Sequence, residues 1–411
     1  MIKPITSVKV SGRRVIVRVG FDVPLKKNIH TEKLEVADDA RIRDALQTIR
    51  HLIREGAKVV IVSHLNRPEG WQMDKSLWPA AEKLGELLGM KTVKVSDELP
   101  DYNVPHIYFL DTDITQKDYS DLSKKIKPSD ILFLENIRFY AGEENNDEQF
   151  VKTLASFGEI FVNEAFSMSH RMEASTYGLA LKLKSYAGIS FLKEISSLSK
   201  VLRNPEKPLV ILMGGAKISD KVGTIHNLAQ HASYILVGGE LANSFLKARG
   251  FNIGLSKFDN LAVAKELERN YKEKIILPVD VVVAKSPNDQ AEALPVSKVR
   301  SNQMILDIGP ETIRQFATYL KSAKTLIWNG PLGLIEYPKF SFGSRSLAYV
   351  FASQARGKAY GVAGGGETVE VLDQAKVSEF LDHVSTGGGA MLEFLAGKKL
   401  PAIKALEISH A

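Results

Sequence analysis

The sequence predicts an α/β protein made of two open parallel sheets in halves of similar size, and three observations carry that prediction. Short β-branched runs recur along the whole chain, most of them apolar on both faces. Amphipathic helical stretches separate them. A polar, proline-containing break falls near residues 185–207, after which a fresh series of buried runs begins.

The runs are 14–19 (RVIVRV), 58–62 (KVVIV), 130–134 (DILFL), 159–163 (EIFVN), 208–213 (PLVILM), 234–237 (YILV), 279–284 (VDVVVA), 324–328 (KTLIW) and 358–363 (KAYGVA). Apolarity on both faces marks strands covered above and below, as crossover helices cover a parallel sheet. The clearest helix follows Asp38-Asp39, where Ile42, Ala45, Leu46, Ile49, Leu52 and Ile53 keep helical spacing and Gly56 supplies a stop. In the break, FLKEISSLSKVL reads as a helix that RNPEKP ends. The halves differ in composition, with ten glycines in 1–200 and twenty in 201–411. No repeat of 20–50 residues is present, which argues against a solenoid.

Composition narrows the function classes. The chain has 411 residues, 44% hydrophobic and 25% charged, a globular balance with enough apolar residues for a large core. Its net charge of +6 is spread without long runs of one sign. No nucleic-acid partner is therefore required, and a binder of anionic metabolites fits. The absence of cysteine excludes disulfides, zinc–thiolate sites, iron–sulfur clusters and cysteine nucleophiles, and suits a reducing compartment. The start MIKPITSVKV lacks the apolar core of a signal peptide, and no apolar stretch approaches the ~18–20 residues that span a bilayer. A cytoplasmic protein with no membrane partner is expected.

Each half carries its own chemistry just after its strands. In the first, Arg41 opens a helix, and His64 and Arg67 (SHLNRP) follow the run at 58–62. Arg138 (LENIRFY) follows 130–134, and His170 and Arg171 (SMSHR) follow 159–163. Ligands of open α/β sheets bind beyond the carboxyl ends of the strands, so these cations can converge on one small, highly charged anion. The planar fork of arginine pairs bidentately with phosphate or carboxylate oxygens. Taken singly, each also reads as a solvated surface residue; the shared position after a strand is what favours a site.

In the second half, glycine clusters occupy the equivalent places: GGAKISDK (214–221), GGE (238–240), WNGPLG (328–333), GGGET (364–368) and STGGGA (385–390). Glycine lets main-chain N–H groups approach phosphate oxygens, and a following helix adds its dipole. One cluster alone reads equally well as a structural turn; five in one half point to a nucleotide. GxxxxGK[ST], the protein-kinase HRD and DFG pair, HExxH and GxSxG are all absent, and no GxGxxG follows a strand with an acid some twenty residues on. The residues alone therefore indicate a phosphoryl-transfer enzyme with an anion half and a nucleotide half.

Taken in order, VRVGFDVPL, SHLNRP, LENIRFYAGEE, NEAFSMSHR, GGAKISDK, LPVD, DIGPET, WNGPLGLIE, GGGET and STGGGAMLEFLAGKKLP resemble the phosphoglycerate kinases over nearly the whole chain. The resemblance implies an α/β protein of two similar-sized doubly wound parallel-sheet (Rossmann-like) domains joined by a helical hinge. The expected division is a triose-acid domain over 1–184, a hinge helix over 185–204, a nucleotide domain over 205–395, and a segment 396–411 returning towards the first domain. It also implies reversible phosphoryl transfer between 1,3-bisphosphoglycerate with ADP and 3-phosphoglycerate with ATP, using Mg²⁺, in glycolysis and gluconeogenesis, by domain closure and direct in-line transfer. A monomer is the expected state, with a dimer left open.

Carried over residue by residue, the triose-acid site would use Asp22, Arg41, His64, Arg67, Arg138 and Arg171, with His170 positioning the ligand. The nucleotide site would use Gly214, Gly215, Ala216, Lys217, Lys221, Gly238, Gly239, Asn329, Pro331, Glu336, Gly365, Gly366, Glu367 and Thr368. Glu336 would take the ribose hydroxyls and Glu367 the metal, while Gly387, Gly388 and Gly389 would meet the transferring group. Arg41, Lys217 and the amides of Gly366 and Gly389 are the expected transition-state stabilisers. A nucleotide-responsive scaffold that kept the fold and lost turnover is the competing class, and the presence of Arg41, Lys217 and an acid in GGGET argues against it; a Rossmann-type dehydrogenase ranks below both.

Two departures stand out. The family usually has Asp where this chain has Glu367, one methylene longer. It typically reads Val-Asp-Phe-Asn-Val-Pro where this chain reads Val19-Gly20-Phe21-Asp22-Val23-Pro24. Residues i and i+2 of an extended segment share a face, so Asp22 is expected to take over the missing acidic role. The competing reading has Asp22 merely capping the turn before Pro24.

Overall fold

The computed structural model describes residues 2–409, and the chain separates into two compact units, residues 1–194 with 399–411, and residues 195–398. The first is built on a seven-stranded sheet, parallel at every pairing. Its spatial order is Lys91–Val95, His106–Leu110, Ile131–Leu134, Lys58–Val62, Arg14–Arg18, Ile160–Asn163 and Lys184–Ala187. The first strand in the chain thus lies inside the sheet, with Val15 level with Val59 on one side and Ile160 on the other.

Helix Ala40–Arg54 shows how the sequence builds the layer above this sheet. Asp38 Oδ1 accepts from the Ala40 N–H at 2.9 Å and so occupies one of the open donors of the first turn. Ile42, Leu46, Ile49 and Leu52 turn inward to join Val15, Val17, Val59 and Ile61 in the core. Gly56, at φ +70°, then reverses the chain into strand Lys58–Val62.

The second unit has a six-stranded parallel sheet in the order Ile275–Ile276, Tyr234–Val237, Leu209–Met213, Thr325–Asn329, Tyr360–Gly364 and His383–Ser385. Again the first strand of the unit is interior, and Trp328, Phe351, Leu212 and Leu326 are among the side chains of its core. The run at 279–284 does not join that sheet. Strand Asp280–Ala284 pairs antiparallel with Glu292–Pro295 and Met304–Ile308, and its alternating burial fits a small sheet covered on one side.

Around the break, Lys184–Ala187 is the last strand of the first sheet, and the helix starts only at Ile189 and runs to Arg203. The helix Pro401–Ile408 buries Ala402, Ala405 and Leu406 and belongs to the first unit, where the Ala402 N–H donates to the Ser169 carbonyl at 3.1 Å. Residues 410 and 411 of that expected segment, and residue 1, lie outside the described residues.

The start of helix Ile189–Arg203 is held by side chains of the first unit. The buried Glu164 carboxylate accepts from the Ser190 and Phe191 N–H groups, both at 3.1 Å, and from Thr48 Oγ1 at 2.6 Å. Thr48 Oγ1 accepts in turn from the Ile189 N–H at 2.8 Å. Gly188 is packed so closely under Glu164 that an added Cβ would overlap its carboxylate. Gly188→Ala should therefore dislodge Glu164 and cost about 1–3 kcal/mol locally. Hydrogen exchange at the Ser190 and Phe191 amides checks this: exchange should quicken, and unchanged protection would contradict the account.

Candidate functional site: a basic crevice and a glycine-laced cavity

In the first unit, the crossover after Arg14–Arg18 runs to Lys58–Val62 on one side and that after Ile160–Asn163 runs to Lys184–Ala187 on the other, so the loops at these carboxyl ends diverge and leave a crevice. Five of the expected residues meet there. Asp22 Oδ1 accepts from the Asn66 N–H at 2.8 Å, and Asp22 Oδ2 lies 3.6 Å from Arg41 Nη1 and 3.8 Å from His64 Nε2. Arg41 Nη1 also donates to the Asp22 carbonyl at 2.6 Å. Arg138 is buried, donating to Glu173 Oε1 at 2.5 Å and, at 3.4 Å, to the Asn66 carbonyl. Arg171 reaches the same Glu173 oxygen at 3.4 Å. Arg67 is exposed with no ion pair among the described residues, and His170 is half-buried beside Arg171 in the chain.

The strand itself stops at Arg18, so Gly20 and Asp22 lie beyond it rather than within it. Asp22 ties its loop to the SHLNRP loop through the Asn66 amide. Gly20 has no positive φ, and a Cβ there would meet only Ser167 Oγ, at 3.4 Å.

Arg18, by sequence an ordinary member of the RVIVRV run, lies in the crevice floor. It is fully buried; Nε donates to Ser175 Oγ at 2.8 Å, Nη1 to the Val19 carbonyl, and Nη2 lies 3.0 Å from His64 Nδ1. Ser175 in turn donates from its hydroxyl and its amide to the buried Glu143 carboxylate, at 2.5 and 3.0 Å. Burial pushes that carboxyl up, while the Arg18 guanidinium pulls it down. The available signal was a charged residue at the carboxyl end of an otherwise apolar strand. Glu143 and Glu173 gave no comparable signal.

A guanidinium can only donate, so His64 Nδ1 must accept and the ring proton sits on Nε2, facing Asp22. Burial, and then the Arg18, Arg138, Arg41 and Arg171 charges, hold His64 well below its ordinary 6.5. Its folded-state pKa being depressed, His64 contributes stability above about pH 6.5 that is lost as pH falls towards the folded value, at up to about 1.4 kcal/mol per pH unit. His64→Gln should lose less stability than wild type between pH 6.5 and 5. Nitrogen NMR should show Nδ1 unprotonated at pH 6, and a titration midpoint near 6.5 would refute the assignment.

In the second unit, Leu209–Met213 is flanked by Tyr234–Val237 and Thr325–Asn329, and three glycine loops close over their ends. The loops are laced by main-chain hydrogen bonds: Gly214 N–H to Asn329 O at 3.0 Å, Gly215 N–H to Pro331 O at 2.8 Å, Gly239 N–H to Leu332 O at 2.9 Å. A Cβ at Gly214 would overlap the Pro331 carbonyl, and Gly330, at φ +90°, passes against the Gly214 carbonyl. Gly238 donates to the Met213 carbonyl at 2.9 Å.

A cavity of about 590 Å³ opens beside these loops, and Gly215, Ala216, Gly239, Pro331, Glu336 and Glu367 line it. Below it, buried Lys221 donates to Asn329 Oδ1, Asn329 Nδ2 donates to the Gly364 carbonyl at 2.7 Å, and Thr368 Oγ1 accepts from the Gly330 N–H at 2.7 Å. Burial pulls the Lys221 ammonium down to about 8, with Glu367 and Asp220 opposing. Lys217 is exposed. Gly365, at φ +101°, starts helix Gly366–Gln374, and Gly388 starts helix Gly389–Leu395. Of the last glycine trio, Gly387 already donates its N–H to Ser385 Oγ at 3.1 Å, whereas Gly388 and Gly389 are more open.

Comparison with known proteins agrees with this architecture. The family model described as phosphoglycerate kinase matches residues 5–398. Phosphoglycerate kinases of Dictyoglomus turgidum and Chloroflexus aggregans are 40% and 41% identical, the alignments covering 96% and 98% of this chain and 96% and 98% of theirs. The structure of phosphoglycerate kinase from Coxiella burnetii superposes with a TM-score of 0.82 at 35% identity, covering 99% of each chain. That from Pyrococcus horikoshii gives 0.82 at 28% identity over the same shares. With a family model matching residues 5–398 and relatives at 40–41% identity covered almost end to end, the chain belongs to the phosphoglycerate kinase family.

Proposed function

We propose that the basic crevice of the first unit holds the triose acid and the glycine-laced cavity of the second holds the nucleotide. The reaction is that of the family: reversible transfer of a phosphoryl group between 1,3-bisphosphoglycerate with ADP and 3-phosphoglycerate with ATP, a glycolytic step. The observation that carries the assignment is the gathering of the Arg41, Arg138 and Arg171 charges about a neutral His64, with Asp22 facing Arg41 and His64 and Glu173 holding Arg138 and Arg171. A coupled assay of ATP formation from 1,3-bisphosphoglycerate and ADP tests it, and absence of turnover would leave a nucleotide-responsive scaffold.

The acceptor is a carboxylate, ionised at neutral pH, so the chemistry needs no general base. It needs in-line positioning and neutralisation of the charge spread over the equatorial oxygens. Arg41, Arg138 and Arg171 supply fixed donors for the acid's oxygens, and His64 Nε2–H adds a neutral one. Asp22 is placed to accept from the ligand's hydroxyl. Across the reaction, Lys217, on an exposed position of GGAK, and the amides of Gly366, Gly388 and Gly389 serve the migrating group. The apolar lining of the cavity suits a base, and Glu336 suits ribose hydroxyls.

Among the described residues no three His, Asp or Glu side chains gather as a metal cage. Glu367 is an exposed carboxylate on the cavity wall, which fits Mg²⁺ held by one protein oxygen together with phosphate oxygens and water. Bound there, the ion would neutralise phosphate charge. No helix among the described residues is long and apolar enough to cross a membrane. A cytoplasmic monomer acting on these two substrates completes the reading.

Two sets of kinetics follow. Arg41→Ala should lower kcat roughly a hundredfold or more. Asp22→Ala, which keeps the carbonyl that Arg41 grips, should instead raise KM for 3-phosphoglycerate several-fold with little change for ATP. Equal effects on both substrates would remove Asp22 from the acid site; Gly20→Asp should be tolerated. Glu367→Ala should raise KM for Mg-ATP while Glu367→Asp retains substantial activity, and an unchanged Mg²⁺ dependence in the alanine variant would displace the metal from this residue.

A further inference from the structure

The first unit carries a second concavity at the opposite end of its sheet. A groove of about 1320 Å³ lies among helix Ala40–Arg54, the end of helix Trp78–Leu88 and the segment 102–106. Lys91 and His106, which line it, are the first residues of their strands, so it opens at the amino ends, whereas the arginine crevice opens at the carboxyl ends. None of the residues assigned to the triose acid lines it.

Its chemistry is two-sided. Leu46, Ile53, Leu88 and Val93 give an apolar floor, while Arg43, Arg50, Arg54 and Lys91 bring four positive charges, and no carboxylate lines the groove. Arg43 is occupied by Asp39, and Arg50 by the Leu87 carbonyl. The side chains of Arg54 and Lys91 are exposed and make no hydrogen bond or ion pair among the described residues. Arg50 and Arg54 are four apart on one helix, a like-charged spacing that costs stability unless an anion relieves it. The helix dipole explains a cation at Arg54 but not Lys91, which is on the edge strand.

We propose that this groove binds an amphiphilic anion, an aliphatic chain ending in a phosphate or carboxylate, its chain over the apolar floor and its head drawn to Arg54 and Lys91. Charge complementarity selects the head and the floor selects the chain. Inorganic phosphate alone would meet only exposed cations, which bind weakly. A chain alone would leave the cations unanswered. Each buried methylene should then tighten binding roughly fourfold.

Isothermal titration with hexyl and octyl phosphate below their micelle concentrations tests this, with inorganic phosphate and octanol as the two halves of the ligand. Octyl phosphate should bind at least tenfold more tightly than either half and more tightly than hexyl phosphate. Arg54→Glu combined with Lys91→Glu should weaken it tenfold or more while leaving ligand-free kinase turnover unchanged. Saturating 3-phosphoglycerate should not displace it. Displacement by 3-phosphoglycerate, equal affinity in the double variant, or inorganic phosphate binding as tightly would each overturn the proposal. Sedimentation with phosphatidylglycerol vesicles separates the sources: vesicle binding together with octyl phosphate binding supports a lipid surface, octyl phosphate binding alone supports a free amphiphile, and vesicle binding alone overturns it.

Discussion

Everything functional in this chain depends on where the first strand of each sheet sits. A strand at an edge would have sent every later crossover in one direction, and the loops after it would have packed against one another. Here the first strand is interior, so the early crossovers run to one side of it and the later ones to the other, and the loops at the carboxyl ends must part. The parallel ladder then sets the height of each loop: Arg18 is level with Val62 and Asn163, and Met213 with Val237 and Asn329. The residues just past those positions have nowhere to go but into the gap.

The two gaps are furnished differently, and the difference is electrostatic. The first holds charged side chains, and charge beneath a sheet is tolerated only when it is paired and hydrogen-bonded. Arg18 reaches Glu143 through Ser175, and Arg138 pairs with Glu173, so each buried charge of the floor faces an opposite one, although Arg138 Nε and Glu173 Oε2 make no hydrogen bond. The second gap is framed by main-chain groups bonded to one another, which carry no ionisable group and need only room. Its glycines provide that room, and the one buried ammonium, Lys221, is anchored to Asn329.

The fold was legible because its strands are buried on both faces: 58–62 and 234–237 have the same limits in sequence and structure. Lys91–Val95 escaped because it is a largely exposed edge strand with lysines at 91 and 94, and Lys184–Ala187 because four residues without a β-branched side chain carry little strand signal. Asp280–Ala284 was readable as a strand but not as antiparallel, since pairing partners are a tertiary fact. In the sites, residues announcing themselves by type and place, such as Arg41, His64 and the glycine loops, could be read directly. Glu173 and Glu143 could not: a carboxylate that supports arginines from below looks in sequence like any solvated acid.

The lacing of the glycine loops has a consequence for how this protein can vary. Where donors are peptide N–H groups, side-chain identity is nearly silent, and a survey of substitutions would record those positions as sensitive to bulk and indifferent to chemistry. What holds these loops together is therefore stored as the absence of atoms at Gly214, Gly239 and Gly330. Such a record drifts slowly, because almost any step away from glycine collides with a neighbouring carbonyl. The arginine crevice, by contrast, holds its charges through side chains, and a Cβ at Gly20 would meet only Ser167 Oγ, so its polar groups have room that the glycine loops lack.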